Sequence, residues 1–366
     1  MDIDDSQIAL VYNLENSSGN GEPGDLVAIQ ETTATAQILF KTIVGLGFRV
    51  VKISAHGSLD ELAGKLRRLP TRNTFIFNYC DGFNGLNSAA VQVAKLIEDM
   101  GFGHTGATSD VIALCVDKVK SKERLLEHGI PTPPYQLFVD PDENFDLSDF
   151  PVIVKPQMED ASMGIALDSV ATSVDEVRRK VRFIIEHYNQ PAVVEEFISG
   201  RELAVSVWGN RSPSALPISE DDYSNIQNPL HHLLTYDAKW NPESFYFQNI
   251  DVLCPANLTV TEHEQVEQAA IQAYKAVGLR DFGRVDIRFR SGIPYVIDIN
   301  ELPDLSEDSG FPNSSRAAGI SYAQMVRRII EIALRREGLY DQYCNTERRR
   351  RHPVYYQKQF QDVQFH

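Results

Sequence analysis

The chain has 366 residues, 43% of them hydrophobic and 23% charged, and a formal net charge of -16. This is ordinary globular composition, enough for two or three compact units, and its acid excess argues against a general nucleic-acid binder, whose footprint would be basic. Cys80, Cys115, Cys254 and Cys344 form no CxxC or Cys/His cluster, which points to thiols in a reducing cytosol; the acidic start MDIDDSQ is unlike a secretory signal, and no apolar run reaches transmembrane length.

Gln7 to Tyr12 reads as a buried strand, followed by a loop from Asn13 to Gly24. A helix is expected over Leu26 to Leu46, a strand over Phe48 to Ile53, a helix over Leu59 to Leu69, a strand over Thr74 to Tyr79 and a helix over Ser88 to Met100. Strand and helix alternate with short links, the pattern of a parallel sheet with crossover helices. The texture then changes. Val116 to His128 is a basic helix stopped by Gly129 and IPTPP. Short strands follow at Tyr135 to Val139, Pro151 to Lys155 and Ala192 to Phe197, with one helix at Val174 to Tyr188. Beyond Glu202 come further strand patterns, a long polar segment (Ser219 to Gln248) and helices at Glu262 to Val277 and Tyr322 to Arg336. The tail after Gly338, with Arg348 to Arg351, reads as a disordered or surface-docked extension rather than a nucleic-acid arm.

Asp281 to Asn300 (DFGRVDIRFRSGIPYVIDIN) reads as a hairpin carrying Asp286, Asp298 and Asn300 among apolar residues, with Arg284 close by. Carboxylates in such strands are costly to bury unless a cation meets them. A hard divalent ion with oxygen ligands, such as Mg²⁺, would do so. A two-residue loop at Ser291-Gly292 would set Asp286 opposite Ile297 and the two aspartates on opposite faces. A three-residue loop, Arg290-Ser291-Gly292, sets Arg284 opposite Asp298 and Asp286 opposite Val296, all on one face; that loop is expected.

Other residues carry weaker signals. Lys155 ends the strand PVIVKP, where Pro156 keeps it extended, so it either snorkels to solvent or meets an anion. Lys118 shares its helix with Lys120, Lys122 and Arg124, and for these three a solvated face is expected. Glu195 and Glu196 end the strand PAVVEE, where they are about as fit for simple exposure as for accepting from an adenine amino group or ribose hydroxyls. Lys239 lies inside the long polar segment, whose length suits a lid. His231 and His232 there are expected to be exposed.

In order and spacing, FNYCDGFNG, VDKVKSKERLLEHGIPTPPY, PVIVKP, VVEEFISGREL, YDAK, DFGRVDIRF, YVIDIN and SGFPNSSRAAGISY resemble the D-alanine–D-alanine ligase family of the ATP-grasp superfamily. The resemblance runs from about Asn78 to Arg336. It implies an α/β and α+β ATP-grasp fold: a pre-ATP-grasp parallel-sheet domain at 1–110, a central subdomain at 111–200, a C-terminal subdomain with metal site and lid at 201–338, and an extension at 339–366. It assigns Lys118, Lys155 and Ser162 to ATP phosphates, Glu195 and the backbone of Glu196, Phe197 and Ile198 to adenine, and Glu202 to ribose. Asp286, Asp298 and Asn300 would hold two Mg²⁺ ions, with Mn²⁺ as an alternative. Arg284 would stabilise phosphoryl transfer, Lys239 would close over the γ-phosphate, and Ser309 would bind the second substrate's carboxylate. Small-molecule partners, a cytoplasmic homodimer, and neither nucleic acid nor membrane are implied as well.

The departures from the family concern substrate. A family glutamate is Asp298 here. Ala161, in Asp160-Ala161-Ser162, replaces a serine that orients the first D-alanine. Trp240 replaces a tyrosine, and Asp304 replaces the glycine after Pro303. The acid for the first ammonium falls at Gln30 or Glu31. These changes predict a ligase with another acyl substrate; an ATP-binding module without ligase activity and a carboxylate kinase are the alternatives.

Overall fold

The computed structural model describes residues 6–14, 26–147 and 149–344, and of 26–30 the helical backbone alone. Residues 15–24 of the loop expected from Asn13 to Gly24, the side chain of Gln30 and the run Arg348 to Arg351 lie outside the described residues; Asn13 itself ends the first strand.

The first sheet is parallel, as the alternation predicts. Its strands are β1 (Gln7–Asn13), β2 (Val50–Ala55), β3 (Thr74–Tyr79) and β4 (Gly103–His104), in spatial order β2-β1-β3-β4. Every residue of β1 and β3 is buried, which fits central strands covered on both faces. The crossovers are α1 (Leu26–Gly45), α2 (Leu59–Leu66) and α3 (Ala90–Asp99). α2 starts at a capping box between Ser58 and Glu61.

Two helices, α4 (Ser109–Cys115) and α5 (Lys118–Glu127), lead to an antiparallel second sheet. It comprises β5 (Tyr135–Phe138), β6 (Val152–Pro156), β7 (Val170–Ala171) and β8 (Ala192–Glu196), ordered β5-β8-β6-β7. Against it packs α6 (Val174–Tyr188), which is capped by Ser173 and stopped by Asn189 in the left-handed conformation.

The third sheet holds β9 (Arg201–Trp208), β10 (Ser214–Ala215), β11 (Ser219–Asp222), β12 (Asp251–Leu253), β13 (Phe282–Arg290) and β14 (Ile293–Asn300). The long polar segment is therefore not featureless: it supplies β11, α7 (Tyr236–Trp240) and α8 (Phe245–Asn249). α9 (Val260–Ala276) covers the sheet's apolar face, and α10 (Gly310–Ala317) and α11 (Tyr322–Arg336) follow. α11 returns to the first sheet and shares its core with α1. The expected extension begins instead with α12 (Tyr340–Cys344), whose Tyr343 and Cys344 are buried in that same core. Asp281, fully buried, clasps the loop after β4 to α11 by accepting from Gly106 N at 2.9 Å and from Arg336 Nε at 2.9 Å. Among the described residues no helix is long and apolar enough to cross a membrane.

The β13–β14 hairpin corrects one expectation. Arg290 pairs with Ile293, so the loop has two residues, Ser291 and Gly292, both at positive φ (52° and 80°). That is the twist-matched two-residue turn. The two aspartates nevertheless share a face, because a bulge between Asp286 and Ile287 takes up the extra residue Ile297. Asp286 then pairs with Asp298 and Arg284 with Asn300, while Val296 turns into the core rather than facing them.

Candidate active site

One cavity of about 660 Å³ is lined by residues from all three sheets, including the ends of β1, β3, β6 and β8. Its volume suits a ligand of nucleotide size. At one end lie the two lysines of the sequence expectation. Asp117 caps α5 by accepting from Val119 N and Lys120 N, which fixes Lys118 at the first helical position. The Lys118 ammonium donates to Glu159 O at 2.7 Å and lies 3.5 Å from Asp298 Oδ2 and 3.7 Å from Asp160 Oδ1. Burial alone would push it down, but Asp298, Asp160 and Glu159 outweigh that and hold it above its ordinary value.

Lys155 meets an anion, Glu195, to which its ammonium donates. Lys122 joins them, and here the solvated-face expectation fails. Lys122 is only 2% exposed, with Nζ 2.6 Å from Glu195 Oε2 and 2.9 Å from Thr132 Oγ1. Lys120 and Arg124 do point outward. Burial by itself would raise the Glu195 carboxyl; the two lysines overcome it and hold the group down at about 2. An adenine amino group would have to share oxygens that both lysines already use.

The loop after β6 is strained. Ala161 (φ 53°) and Ser162 (φ 61°) both occupy the left-handed region, a cost that recurs at ligand clamps. Two bonds tie this loop to the segment expected to form a lid: Ser162 Oγ donates to Leu234 O at 2.8 Å, and Trp240 Nε1 to Ala161 O at 3.0 Å. Thr235 caps α7, so Lys239 is carried on a helical turn and lines the cavity. His231 and His232 are half-buried and structural: His231 bonds the Tyr246 hydroxyl, and His232 stacks on Tyr223.

On the third sheet Arg284 grips Asp286 through two bonds of 2.7 and 2.9 Å, and Asn300 Nδ2 donates to Asp286 Oδ2 at 3.0 Å. Burial opposes the charge on Asp286, but Arg284 prevails and depresses its carboxyl. Glu202 bonds Tyr223 and forms an ion pair with Arg288 Nη2 at 2.6 Å. Arg288 is itself 4% exposed. Asp221 sits directly opposite Glu202 across the β11–β9 pair and lines the cavity, and its side chain makes no hydrogen bond or ion pair among the described residues. Burial first, then the Glu202 charge, pushes it up to about 8.

The far end of the cavity is acidic. Glu31, Asp81, Asp304 and Ser309 line it, together with the Tyr79 hydroxyl. Tyr79 donates to Asp304 Oδ1 at 3.3 Å, and Ser306 donates to both Asp304 oxygens at 2.8 and 2.7 Å. Ser309 Oγ donates to Asp304 O at 2.7 Å. Thr32 donates to Asp81 Oδ2 at 2.7 Å. Desolvation within the cavity wall, with the Asp304 charge, pushes Asp81 up to about 6 despite hydrogen bonds from Thr32 and Asn13, and moves Glu31 in the same direction. Ala161, Trp240, Asp304 and Ser309, the positions that the resemblance ties to substrate, thus all line the one cavity.

Sequence reasoning missed Lys122, Arg288, Asp221 and Asp81. Lys122 had a usable signal: it is four residues from Lys118, hence on the same helix face. Arg288 alternates with Arg284 and Asp286 on one strand face. Asp221 and Asp81 had none, because neither the β11 register nor the meeting of β3 with the loop after β14 is written locally.

Three sheets around this cavity form the ATP-grasp fold. The structure superposes with a TM-score of 0.70 on the crystal structure of D-alanine–D-alanine ligase from Bacillus anthracis complexed with ATP, at 22% identity, over 90% of this chain and 98% of that one. Residues 125–331 match the family profile described as D-ala D-ala ligase C-terminus. An uncharacterized protein of Sinorhizobium fredii, y4sG, is 33% identical over 71% of this chain and 75% of its own length. The D-alanine–D-alanine ligase of Pseudothermotoga lettingae is 28% identical over 81% and 92%. The chain belongs to the D-alanine–D-alanine ligase family, which supports an ATP-dependent ligase that forms C–N bonds.

Proposed function

We propose that the protein is an ATP-dependent carboxylate–amine ligase whose acyl substrate differs from D-alanine. The observation that carries this reading is that Lys118, Lys155 and Arg284 share one cavity with Asp286, Asp298 and Asn300, and that Asp304, Ala161 and Trp240 line its remainder.

In this reading one substrate's carboxylate oxygen attacks the γ-phosphorus and ADP leaves, giving an acyl phosphate. The amine nitrogen then attacks the acyl carbon and phosphate departs. The first step needs chiefly positioning and charge neutralisation. Lys118 and Lys155 hold the phosphates, each fixed by the protein contacts described above. Ser162 presents a strained loop to them, and Lys239 approaches from α7. The backbone from Glu196 to Ile198 holds adenine beside Glu195, and Glu202 takes the ribose. Arg284 lies beside the metal residues, where charge builds on the transferring phosphoryl group. Ser309 holds the second substrate's carboxylate at the start of α10, with Glu31 for the first ammonium and Trp240 and Asp304 as further substrate walls.

The hairpin fits Mg²⁺ or Mn²⁺. Asp286 and Asp298 are paired across it, Asn300 is two residues on, and all three offer oxygen. Among the described residues no three His, Cys, Asp or Glu side chains form a ready cage. That suits an ion bound by one or two carboxylates together with substrate phosphates. Bound there, two such ions would neutralise phosphate charge. The division at 110, 200 and 338, the homodimer and the cytoplasmic setting belong to this proposal on the family likeness alone.

ADP release against a panel of amino-acid pairs, with mass spectrometry of products, tests it. Amide formation that needs both partners is expected. Efficient synthesis of D-alanyl-D-alanine would remove the substrate claim. ADP release without an amine would mark a carboxylate kinase, and none with any pair would mark a binding module.

A further inference from the structure

We propose that the substrate held at the acidic end carries a second cationic group, one more than the ammonium assigned to Glu31, and that Asp81 and Asp304 receive it. The inference rests on the ligase reading for the presence of a substrate there, and adds its chemical class.

A group of acids alone would carry nothing. These close one end of a cavity whose other end independently calls for a ligand, through Lys118, Lys155, Arg284 and the oxygen donors beside them. One carboxylate suffices for one ammonium, so Asp81 and Asp304 exceed what a simple amino acid needs. Their charges reach one another: Asp304 acts on both Glu31 and Asp81. Among the described residues no Lys, Arg or His forms an ion pair with any of the three. Arg284 feels the Asp304 charge, but both arms of its fork already bond Asp286. The partners of Asp304 and Asp81 are neutral donors (Tyr79, Ser306 and Thr32), which orient a carboxylate without cancelling its charge. Glu31 and Asp304 are half-buried, while Asp81 is exposed on the cavity wall beside them. Half-buried charge of one sign without a counter-charge is costly, and a cationic ligand relieves that cost. Where the family has a glycine, Asp304 adds this charge by substitution of one residue. The class is a carboxylate with two cationic groups, such as a diamino acid.

Ornithine and norvaline, which differ by one ammonium, separate the possibilities. Binding is measured by calorimetry on the full chain with Mg²⁺ and a non-hydrolysable ATP analogue, and ADP release is measured in parallel with ATP. Both configurations of each amino acid are used. Ornithine is expected to bind about tenfold more tightly than norvaline or better, the gain typical of a charged hydrogen bond. The gap should close in Asp304→Asn, and also in Asp81→Asn, in variants that still bind the nucleotide analogue. If the gap is present but no pair releases ADP, the ligase reading fails and the inference stands. If ADP is released with neutral amino acids and norvaline binds as ornithine does, the inference falls and the ligase reading stands. Equal binding in the wild-type protein overturns the inference even if a variant does not fold.

Discussion

Glu195 and Asp304 line the same cavity and are stabilised in opposite ways. Glu195 is 1% exposed and meets two lysine ammoniums. Asp304 is fixed by hydroxyl and backbone N–H donors and, among the described residues, by no cation. The first arrangement is complete within the chain, so it can position Lys155 before any ligand arrives. The second leaves charge that no cation among the described residues meets. A cavity built this way has a preorganised end and a selective end, and the two should respond differently to substitution.

The largest expected effect lies beside the preorganised end. Asp286→Asn removes a carboxylate that Arg284 and Asn300 hold in place, and should lower ADP release about 10³-fold while leaving the fold intact. A variant that keeps a tenth of the activity would detach the hairpin from catalysis. Next in size is Lys122→Ala. It leaves Glu195 with Lys155 alone in a buried setting, and breaking such a pair costs about 3 kcal/mol, readable by urea unfolding. A loss under about 1 kcal/mol would show that Lys122 is not needed to hold Glu195. The sign with pH follows from Glu195, whose carboxyl is held down from 4.5 to about 2. Its contribution is full above the ordinary value and is lost as pH falls through about 2.

These contrasts also explain what was legible in the sequence. Elements with a strong period were readable: Thr74–Tyr79, Val174–Tyr188 and Tyr322–Arg336 are as expected to the residue. The hairpin was readable in content but not in register. Ser291-Gly292 obeys local turn chemistry, and the bulge at Ile297 that returns Asp298 to the side of Asp286 is set by pairing with β13. The burial of Lys122 was hidden because a run of basic residues reads as solvated until a partner such as Glu195 arrives from a strand 73 positions away. The acidic end was the least legible. Glu31, Asp81 and Asp304 come from α1, the end of β3 and the loop after β14, and no local pattern joins them.

The selective end should respond to pH in the opposite sense to a proton-stabilised site. Desolvation within the cavity wall and the Asp304 charge push Asp81 toward about 6, a push that water tempers because the residue is exposed. Tyr79 is a further titratable group beside it, and hydrogen bonds from Thr32 and Asn13 pull down. It therefore gains its charge as pH rises through about 6, and the preference for ornithine over norvaline should grow several-fold between about pH 5 and 7. A preference that is flat across this range, or that falls, would remove Asp81 from the recognition of charge.

The smallest effect bears on whether the preorganised end is as balanced as Glu195 suggests. Asp221 faces Glu202 across the β11–β9 pair, and like charges directly opposite are destabilising. Burial and Glu202 raise its carboxyl from 3.8 to about 8, against the pull of Lys239 and Arg284. Because the folded value lies above the unfolded one, the folded chain keeps a proton that the unfolded chain releases. Stability from this group therefore falls as pH rises from about 3.8 to about 8 and levels off above that. Asparagine cannot ionise, so Asp221→Asn and the wild type should melt together near pH 4 and separate toward pH 8, with the variant about 2 °C or more higher. Melting curves without nucleotide measure this directly. Coincident curves at every pH would mean that a cation already balances Asp221 in solution, with Lys239 on α7, whose charge pulls on it, as the candidate. The contrast between the two ends would then be sharper, since Asp221 as well as Glu195 would have its counter-charge within the chain.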